Sequence, residues 1–287
     1  MTSSTRFEKH YPVVIVGAGP VGLCLAIELG RRGVDCLIVD KGDGVNNHPR
    51  ANVVSARSLE HFRRWGIDDQ VTAAGLPLDY PTNVVFTTRL FDHEITRFAF
   101  PSIADARSAD AALLAQHPDI ALSPYYKTAV GQNHIEPVLR AHLATLPQVE
   151  LRLGWELQQL DPGVPGGAPA RCEFTQGNGE RVTVTADHVA GCDGARSMVR
   201  QLLDIGMEGK ASLGQMIGVY IRAPGLVERF GRGGAILYWT LAPKATGVFI
   251  AIDGREEWVL QRHLREGERV EDFDPRQATW PSGRTRT

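Results

Sequence analysis

The sequence lacks a marked excess of either positive or negative charge. It has 31 Lys and Arg residues against 33 Asp and Glu residues, and its formal net charge is −2. Proteins that bind nucleic acid or an anionic membrane surface usually carry a marked excess of positive charge. We therefore expect neither nucleic acid nor a membrane surface among the partners of this chain.

Cysteine is also scarce. There are four cysteines with no CxxC pair, and the nine His residues show no zinc-like spacing. The cysteines lie in apolar or strand-like stretches, at Cys24, Cys36, Cys172 and Cys192. This pattern favours free, reduced thiols in a cytoplasmic protein over disulfide bonds, and it predicts no metal site.

Long hydrophobic runs are missing as well. The longest stretch without a charged residue, residues 11–27, is shorter than the about 20 apolar residues that a transmembrane helix needs. The stretch, "YPVVIVGAGPVGLCLAI", also contains three glycines and a proline. We therefore do not expect it to span a membrane, and its glycines need another explanation.

The segment "VVIVGAGPVGLCLAIELGRRGVDCLIVD" predicts a strand, a turn, a helix and a second strand. Its GxGxxG motif consists of Gly17, Gly19 and Gly22. The first glycine permits the tight turn, the second lets a pyrophosphate approach the backbone, and the third lets the helix pack closely on the sheet. Asp40 ends the second strand, where a carboxylate can hold the ribose hydroxyl pair. The segment therefore predicts a dinucleotide site at the N-terminus of the helix.

A second corner follows much later in the chain, in "HVAGCDGARSMVRQLL". A predicted strand ends there at Asp193-Gly194 and leads directly into a predicted helix. Gly194 permits a sharp change of direction, and Asp193 can accept backbone N–H bonds at the start of the helix. These residues alone leave two interpretations open for Asp193: a role in a ligand site, or a role as the N-cap of that helix and nothing more.

The remaining segments predict a mixture of helices and strands. Ser55 is the expected N-cap of a helix that ends at Gly66, and "GQNHIEPVLRAHLATLP" predicts another helix. The segments "RCEFTQ" and "RVTVTADHV" flank "GNG" and predict a hairpin, and "LGQMIGVYIRA", "AILYWTL" and "GVFIAI" predict strands of a second sheet. Residues 266–287 have few apolar side chains and are expected to be a disordered tail.

Three aromatic residues on the strands predicted for the second sheet are candidates for an aromatic pocket. These are Tyr220, Tyr238 and Trp239. Aromatic side chains on strands commonly pack in the core or on a sheet surface. We therefore favour their interpretation as ordinary sheet residues.

Together, these segments resemble the FAD-dependent aromatic hydroxylases, the single-component flavoprotein monooxygenases of the para-hydroxybenzoate hydroxylase type. "VVIVGAGPVGL" is similar to the first FAD motif of the family, with Asp40 where a Glu is more usual. "PRANVVSARSLEHFRRWGI" resembles the segment in which an Arg approaches the flavin, "GQNHIEPVL" resembles a Gln-x-x-Leu-Glu helix start, and "GCDGARSMVR" resembles the Asp-Gly motif. The resemblance extends to about residue 265.

The resemblance implies a set of residues that bind the cofactor. Arg50 would approach the flavin, and Gln132 would touch the diphosphate or the ribityl region. Asp193 would organise the corner near the pyrophosphate. The complete set is Gly17, Gly19, Pro20, Val21, Gly22, Asp40, Lys41, Arg50, Gln132, Asp193 and Gly194. No catalytic residue follows from a fixed motif, because the flavin carries the redox chemistry.

The resemblance also implies an α/β fold with an FAD-binding, Rossmann-like domain of the glutathione-reductase type and a β-rich substrate domain. The first would comprise residues 1–75 and 128–205, and the second residues 76–127 and 206–265. FAD would be reduced by NADH or NADPH. Oxygen would then give a flavin hydroperoxide that hydroxylates a phenolic or other small aromatic substrate. A homodimer is left open.

One further family motif, Gly-Asp followed by Ala-Ala-His, does not occur in the sequence. We therefore expect a C-terminally truncated chain without the last segment of the FAD domain. Two alternatives stay open: another FAD oxidoreductase on the same fold, and a catalytically inactive remnant of the flavin fold. A dehydrogenase that uses only a nicotinamide cofactor is disfavoured, because Gln132 and the Asp-Gly segment would then have no use.

Overall fold

The computed structural model describes residues 6–210, 214–243, 246–264 and 267–269. The predicted tail, residues 266–287, lies outside the described residues except for 267–269. In chain order the elements are β1 (Arg6–Val16), α1 (Pro20–Arg31), β2 (Cys36–Asp40), α2 (Ala56–Trp65), α3 (Asp68–Ala73), β3 (Val84–Thr87), β4 (Glu94–Phe98), α4 (Ile103–Arg107), α5 (Ala111–Gln116), a 3-10 helix (Pro118–Leu122), α6 (Gln132–Leu143), β5 (Val149–Leu153), β6 (Trp155–Asp161), β7 (Ala170–Gln176), β8 (Arg181–Gly191), α7 (Met198–Leu202), β9 (Met216–Arg222), α8 (Leu226–Phe230), β10 (Leu237–Thr240), β11 (Gly247–Ala251) and β12 (Glu257–His263).

The chain divides into two compact units, one of residues 1–47 and 132–209 and the other of residues 48–131 and 210–287. The sequence placed the first boundary at residue 75 instead of 47. Residues 48–75 group with the second unit because their backbone bonds lead there. Val54 and Thr128 exchange N–H···O bonds of 2.7 and 3.0 Å, and the N–H of Leu76 donates to the carbonyl of Ala129 at 2.9 Å. The assignment of FAD and substrate to separate units stays a prediction.

The first unit contains a six-stranded sheet in the order β5-β2-β1-β8-β7-β6. The strands β5, β2, β1 and β8 are parallel, and β7 and β6 are antiparallel. The middle of β1 and β2 is fully buried, with no exposed surface on Val14, Ile15, Leu37 or Ile38. Such continuous apolar runs are typical of parallel strands that are covered on both faces. The predicted α/β class is confirmed.

Two helices of the first unit begin at the same edge of this sheet. α1 connects β1 to the parallel strand β2, and α6 leads into β5, which is parallel to β2. A helix that connects parallel strands must run back along the sheet, so it begins at the edge where the strands end. The first residues of α1 and α6 therefore lie at the carboxyl edge of β1 and β2.

The second unit contains a sheet in the order β4-β3-β10-β11-β12-β9, with an aromatic core on one face. Tyr238 has no exposed surface, its ring lies 4.7 Å from the ring of Phe230, and its hydroxyl donates to the carbonyl of Gly233 at 2.9 Å. Tyr238 is therefore a core residue, as the favoured interpretation of the sequence expected. Tyr220 packs against a smaller cluster that includes Ile250 and Val259.

Two short-range predictions are confirmed by local geometry. The hydroxyl of Ser55 accepts from the N–H of Ser58 at 3.3 Å, and α2 ends at Gly66, which has a φ of 76° in the left-handed region. The strands β7 and β8 pair as an antiparallel hairpin, with a φ of 83° at Gly179 in the turn. In both places the glycine takes a backbone conformation that disfavours other residues.

The four cysteines are free thiols. Burial raises the pKa of the thiols of Cys24 and Cys172 to about 12, so both stay protonated and unreactive at neutral pH. Within the described part of the chain, no three or more His, Cys, Asp or Glu side chains are grouped so that they could hold a metal ion. The helices described there are all too short or too polar to cross a bilayer.

A charged cluster joins β1 to the edge strand β5 of the first sheet. The carboxylate of Glu150 accepts from the Tyr11 hydroxyl at 2.7 Å and from Arg152 Nε at 2.6 Å, and it lies 3.1 Å from Lys9 Nζ. Burial alone would raise the pKa of Glu150, but the hydrogen bonds from Tyr11, Arg152 and Lys9 outweigh it and lower this pKa to about 2.

The cluster predicts an acid-sensitive contribution to the stability of the first unit. Because the pKa of Glu150 is lowered from 4.5 to about 2 on folding, its contribution is complete above pH 4.5 and is lost as the pH falls towards 2. In urea titrations between these pH values, the free energy of unfolding should fall less steeply for Glu150→Gln than for the wild type. Glu208→Gln, at an exposed position, should keep the wild-type slope. Equal slopes for all three proteins would contradict the prediction.

Candidate functional site

The three strands β1, β2 and β8 meet at their carboxyl ends through the backbone of Gly17. The N–H of Gly17 donates to the carbonyl of Val39, and the N–H of Cys192 donates to the carbonyl of Val16, both at 2.7 Å. Gly17 has a φ of 105°, and a Cβ there would lie 2.4 Å from the carbonyl oxygen of Cys192. A residue with a side chain would therefore be strained and would separate the strands, so the first glycine of the motif is required by the fold.

The other two glycines of the motif have different surroundings. A Cβ on Gly22 would lie 1.9 Å from the carbonyl oxygen of Gly17, so this glycine lets α1 pack directly on the loop before it. A Cβ on Gly19 would meet no described atom within 4 Å, and its φ of −73° suits any residue. Packing within the described part of the chain does not require a glycine at position 19, so the space beside its backbone fits an approaching ligand.

The N-terminus of α1 faces this space. Gly19 is the N-cap, and no side chain among the described residues caps the helix there. Pro20 has no N–H, and the N–H groups of Val21 and Gly22 belong to the first turn, which lacks acceptors within the helix. The side chain of Val21 is 70% exposed. Uncapped N–H groups and the positive end of the helix dipole favour an anion such as a diphosphate.

Asp40 lies at the end of β2, as the sequence predicted, and its carboxylate shapes the glycine loop. Oδ2 accepts from the N–H of Ala18 at 2.7 Å, and Oδ1 accepts from the N–H of Gly42 at 2.8 Å. A carboxylate has about four acceptor positions, so Asp40 retains capacity for ribose hydroxyls. The neighbouring Lys41 is exposed, with its Nζ 3.9 Å from Glu156.

Asp193 lies in the turn between β8 and α7, and its carboxylate binds the start of that helix. Its oxygens accept from the Ser197 hydroxyl at 2.6 Å and from the N–H groups of Met198 and Val199 at 2.5 and 3.1 Å. The chain turns at Gly194, which has a φ of 77°. The expectation that Asp193 accepts backbone bonds at a helix start is confirmed, but Ser197, not Asp193, is the N-cap of α7. A direct role of Asp193 at the cofactor stays a prediction.

Gln132 is the first residue of α6, and a buried carboxylate that sequence reasoning missed holds its amide. Gln132 Nε2 donates to Glu136 Oε1 at 2.7 Å, and Glu136 is buried. Arg140 Nη1 lies 3.5 Å from Glu136 Oε2. The signal for Glu136 was its spacing of four residues from Gln132 on a helix, within the segment that suggested the resemblance.

Two predicted features lie in the second unit. Arg50 lies in the loop between β2 and α2 with an exposed side chain, and its predicted role at the flavin stays a prediction.

Trp239, next to the core residue Tyr238, lies on the opposite face of the sheet and is 38% exposed. Its ring stacks on that of Phe86 at 6.3 Å, and Phe86 contacts Phe98 edge-on at 5.8 Å. These three residues form a partly exposed aromatic row.

A cavity between α2, α3 and α4 in the second unit is too small to hold an aromatic substrate. Its volume is ≈ 60 Å³, and Leu59, Ile103 and Tyr126 are among the residues that line it. A cavity that accepts benzene needs about 150 Å³. We therefore do not consider it a substrate site.

Most of the chain matches a known protein family and its members. The FAD binding domain family model matches residues 10–281. The aklavinone 12-hydroxylase RdmE of Streptomyces purpurascens is 31% identical over 279 residues, which cover 93% of this chain and 49% of that protein. The FAD-dependent monooxygenase apdD of Emericella nidulans is 30% identical over 265 residues, which cover 88% of this chain and 40% of that protein.

Solved structures give the same result. The flavin-dependent monooxygenase PieE, solved with FAD and substrate, superposes with a TM-score of 0.80 at 28% identity, covering 91% of this chain and 44% of that one. These matches confirm the resemblance to FAD-dependent hydroxylases that the sequence suggested. The chain spans about half or less of the length of these relatives.

The different surroundings of Gly22 and Gly19 predict different effects of alanine. Gly22→Ala should lower the free energy of unfolding by about 1–3 kcal/mol, because its Cβ would overlap the backbone of Gly17. Gly19→Ala should lower it by no more than about 1 kcal/mol, since Ala is a poorer N-cap than Gly but its Cβ would meet no described atom. Denaturant titration of the two variants checks this, and equal stabilities would contradict the packing described for α1.

Proposed function

Because the chain belongs to the FAD binding domain family, we propose that it binds FAD and takes part in the hydroxylation of an aromatic substrate. The observation that carries the proposal is the open space at Gly19, beside an uncapped helix N-terminus and the carboxylate of Asp40. Negative charge at the helix start and hydroxyl groups at the carboxylate are the two features that an adenosine diphosphate moiety would supply.

The proposal gives each predicted residue a place at the cofactor. The loop from Gly17 to Gly22, with Pro20 and Val21, would hold the diphosphate, and Asp40 with Lys41 would lie at the adenosine ribose. Gln132 would contact the diphosphate or the ribityl chain. Asp193 and Gly194 would form the corner next to the pyrophosphate through the start of α7. Arg50 would approach the flavin.

The chemistry would come from the cofactor. When bound, FAD would supply the redox chemistry: with two electrons from NADH or NADPH, oxygen would be activated by the hydroperoxide route, one oxygen atom would enter the phenolic ring and the other would leave as water. The residues of the chain would bind and orient FAD, exclude water and position the ring. The small net charge argues against nucleic-acid and membrane-surface partners. The four free cysteines support a cytoplasmic protein. A homodimer stays open.

The substrate would be an aromatic compound with an extended face. The named relatives include a hydroxylase of aklavinone, and the second unit carries the row of Phe98, Phe86 and Trp239 on one face of its sheet. Aromatic faces stack on other aromatic rings and bury a large apolar area. The row is therefore the surface we propose for contact with the substrate.

FAD titration of the purified chain tests cofactor binding, with flavin fluorescence and absorbance as the readouts. We expect one FAD per chain. Gly19→Ala should weaken binding at least about tenfold, because its Cβ would occupy the space meant for the diphosphate. Gly177→Ala is the matched control, since a Cβ there also meets nothing within 4 Å but lies in the hairpin between β7 and β8. A chain that takes up no FAD, or a Gly19→Ala variant that binds like the wild type, would contradict the proposal.

Turnover separates hydroxylation from the alternatives. The FAD-loaded chain should consume NADH or NADPH together with oxygen and give a product of a phenolic substrate that is heavier by one oxygen atom. Consumption of the nicotinamide nucleotide without such a product would favour another FAD oxidoreductase. Bound FAD without any turnover would favour a catalytically inactive flavin-binding chain.

A further inference from the structure

Three side chains follow one face of α6 from its first residue onward. Gln132, Glu136 and Arg140 are four residues apart, so they lie on the same side of the helix. Gln132 Nε2 donates to Glu136 Oε1 at 2.7 Å, and Arg140 Nη1 lies 3.5 Å from Glu136 Oε2. Each oxygen of the central carboxylate therefore faces one neighbour.

The burial of Glu136 distinguishes this row from an ordinary surface ion pair. The side chain of Glu136 is 8% exposed and that of Arg140 is 21% exposed. On α1, the similarly spaced pair of Glu28 and Arg32 has exposures of 28% and 66%. Burial of a carboxylate costs free energy unless charged or polar groups compensate, whereas an exposed pair contributes little in either direction. The buried carboxylate needs an explanation that the exposed pair does not.

The row connects the start of α6 to the loop that follows Asp40. A Cβ on Gly44 would lie 3.9 Å from Arg140 Cζ, so the backbone of this loop passes close to the guanidinium. The same loop begins at Asp40, which accepts from the N–H groups of Gly42 and Ala18. Glu136 therefore contacts Gln132 at the carboxyl edge of the sheet. It also contacts Arg140, which lies next to the loop of the proposed ribose site.

The carboxylate also fixes which way the Gln132 amide points. A Gln amide has a donor end and an acceptor end that exchange places when it rotates by 180°. Rotation here would place the carbonyl oxygen of Gln132 against the negative charge of Glu136, so the amide keeps its NH₂ group on the carboxylate. An amide held in one orientation loses less conformational entropy when it binds a ligand.

We propose that Glu136 is a positioning residue for the cofactor, acting through the orientation of Gln132, an inference that rests on the proposed binding of FAD. Glu136 does not contact the cofactor in this account. Its buried carboxylate holds the amide of Gln132 ready for the diphosphate or ribityl region, while Arg140 is the partner of the second carboxylate oxygen.

The test measures the dissociation constant of FAD for the wild type, Glu136→Gln and Glu28→Gln. Glu136→Gln keeps the size of the side chain but removes the charge that prevents rotation of the Gln132 amide. We expect it to weaken FAD binding about fivefold, the effect of one misplaced hydrogen bond. Glu28→Gln removes the carboxylate of the similarly spaced pair on α1 and should leave the dissociation constant unchanged. Glu136→Asp, which retains the buried charge but draws the oxygen away from Gln132, should weaken binding to a similar extent.

A second arm separates positioning from a general loss of stability. In a Gln132→Ala background, Glu136→Gln should have no further effect on FAD binding, because the group through which it acts is gone. A purely structural role predicts the same fold-change in both backgrounds, and that result would overturn the inference. So would wild-type affinity in Glu136→Gln. A wild-type chain that binds no FAD is a separate result, which overturns the proposed function together with this inference.

Discussion

The contact between the backbones of Gly17 and Cys192 is the constraint on which the proposed site depends. It brings the ends of β1 and β8 so close that a single Cβ would lie 2.4 Å from a carbonyl oxygen. The bond from the N–H of Gly17 to Val39 adds β2 to the same corner. With the strand ends fixed in this way, α1 must start just outside the sheet, and Asp40 comes within reach of the N–H of Ala18.

Short-range features of this fold could be predicted from the sequence because neighbouring residues determine them. The strand–turn–helix–strand segment around Gly17, the Ser55 cap and the hairpin at Gly179 all depend on side-chain patterns within a few residues. The boundary between the units could not be predicted, since residues 48–75 join the second unit through bonds to residues about 50–75 positions away, such as that between Val54 and Thr128. The burial of Tyr238 and the exposure of Trp239 could not be predicted either. Alternation along the strand places the two side chains on opposite faces of the sheet but does not indicate which face is buried.

In the candidate site, too, the sequence predicted the motif residues, but only the fold shows what surrounds each of them. The three glycines of the motif looked alike in the sequence, but the structure gives two of them a packing role and leaves Gly19 with open space. Glu136 was overlooked because a carboxylate on a helix is usually a solvated surface group, and only the fold reveals its burial. Asp193 binds the start of α7 with three hydrogen bonds, so a motif residue here has an evident structural role whether or not it also faces the cofactor.

The central claim is that the corner at Gly17 and the N-terminus of α1 receive the diphosphate of a dinucleotide. A crystal structure of the chain grown with ADP tests this most directly, because ADP carries the diphosphate and ribose without the flavin. Phosphate oxygens should lie within hydrogen-bond distance of the N–H groups of Val21 and Gly22, with the ribose hydroxyls at Asp40. ADP bound elsewhere on the chain, with this corner left to solvent, would contradict it.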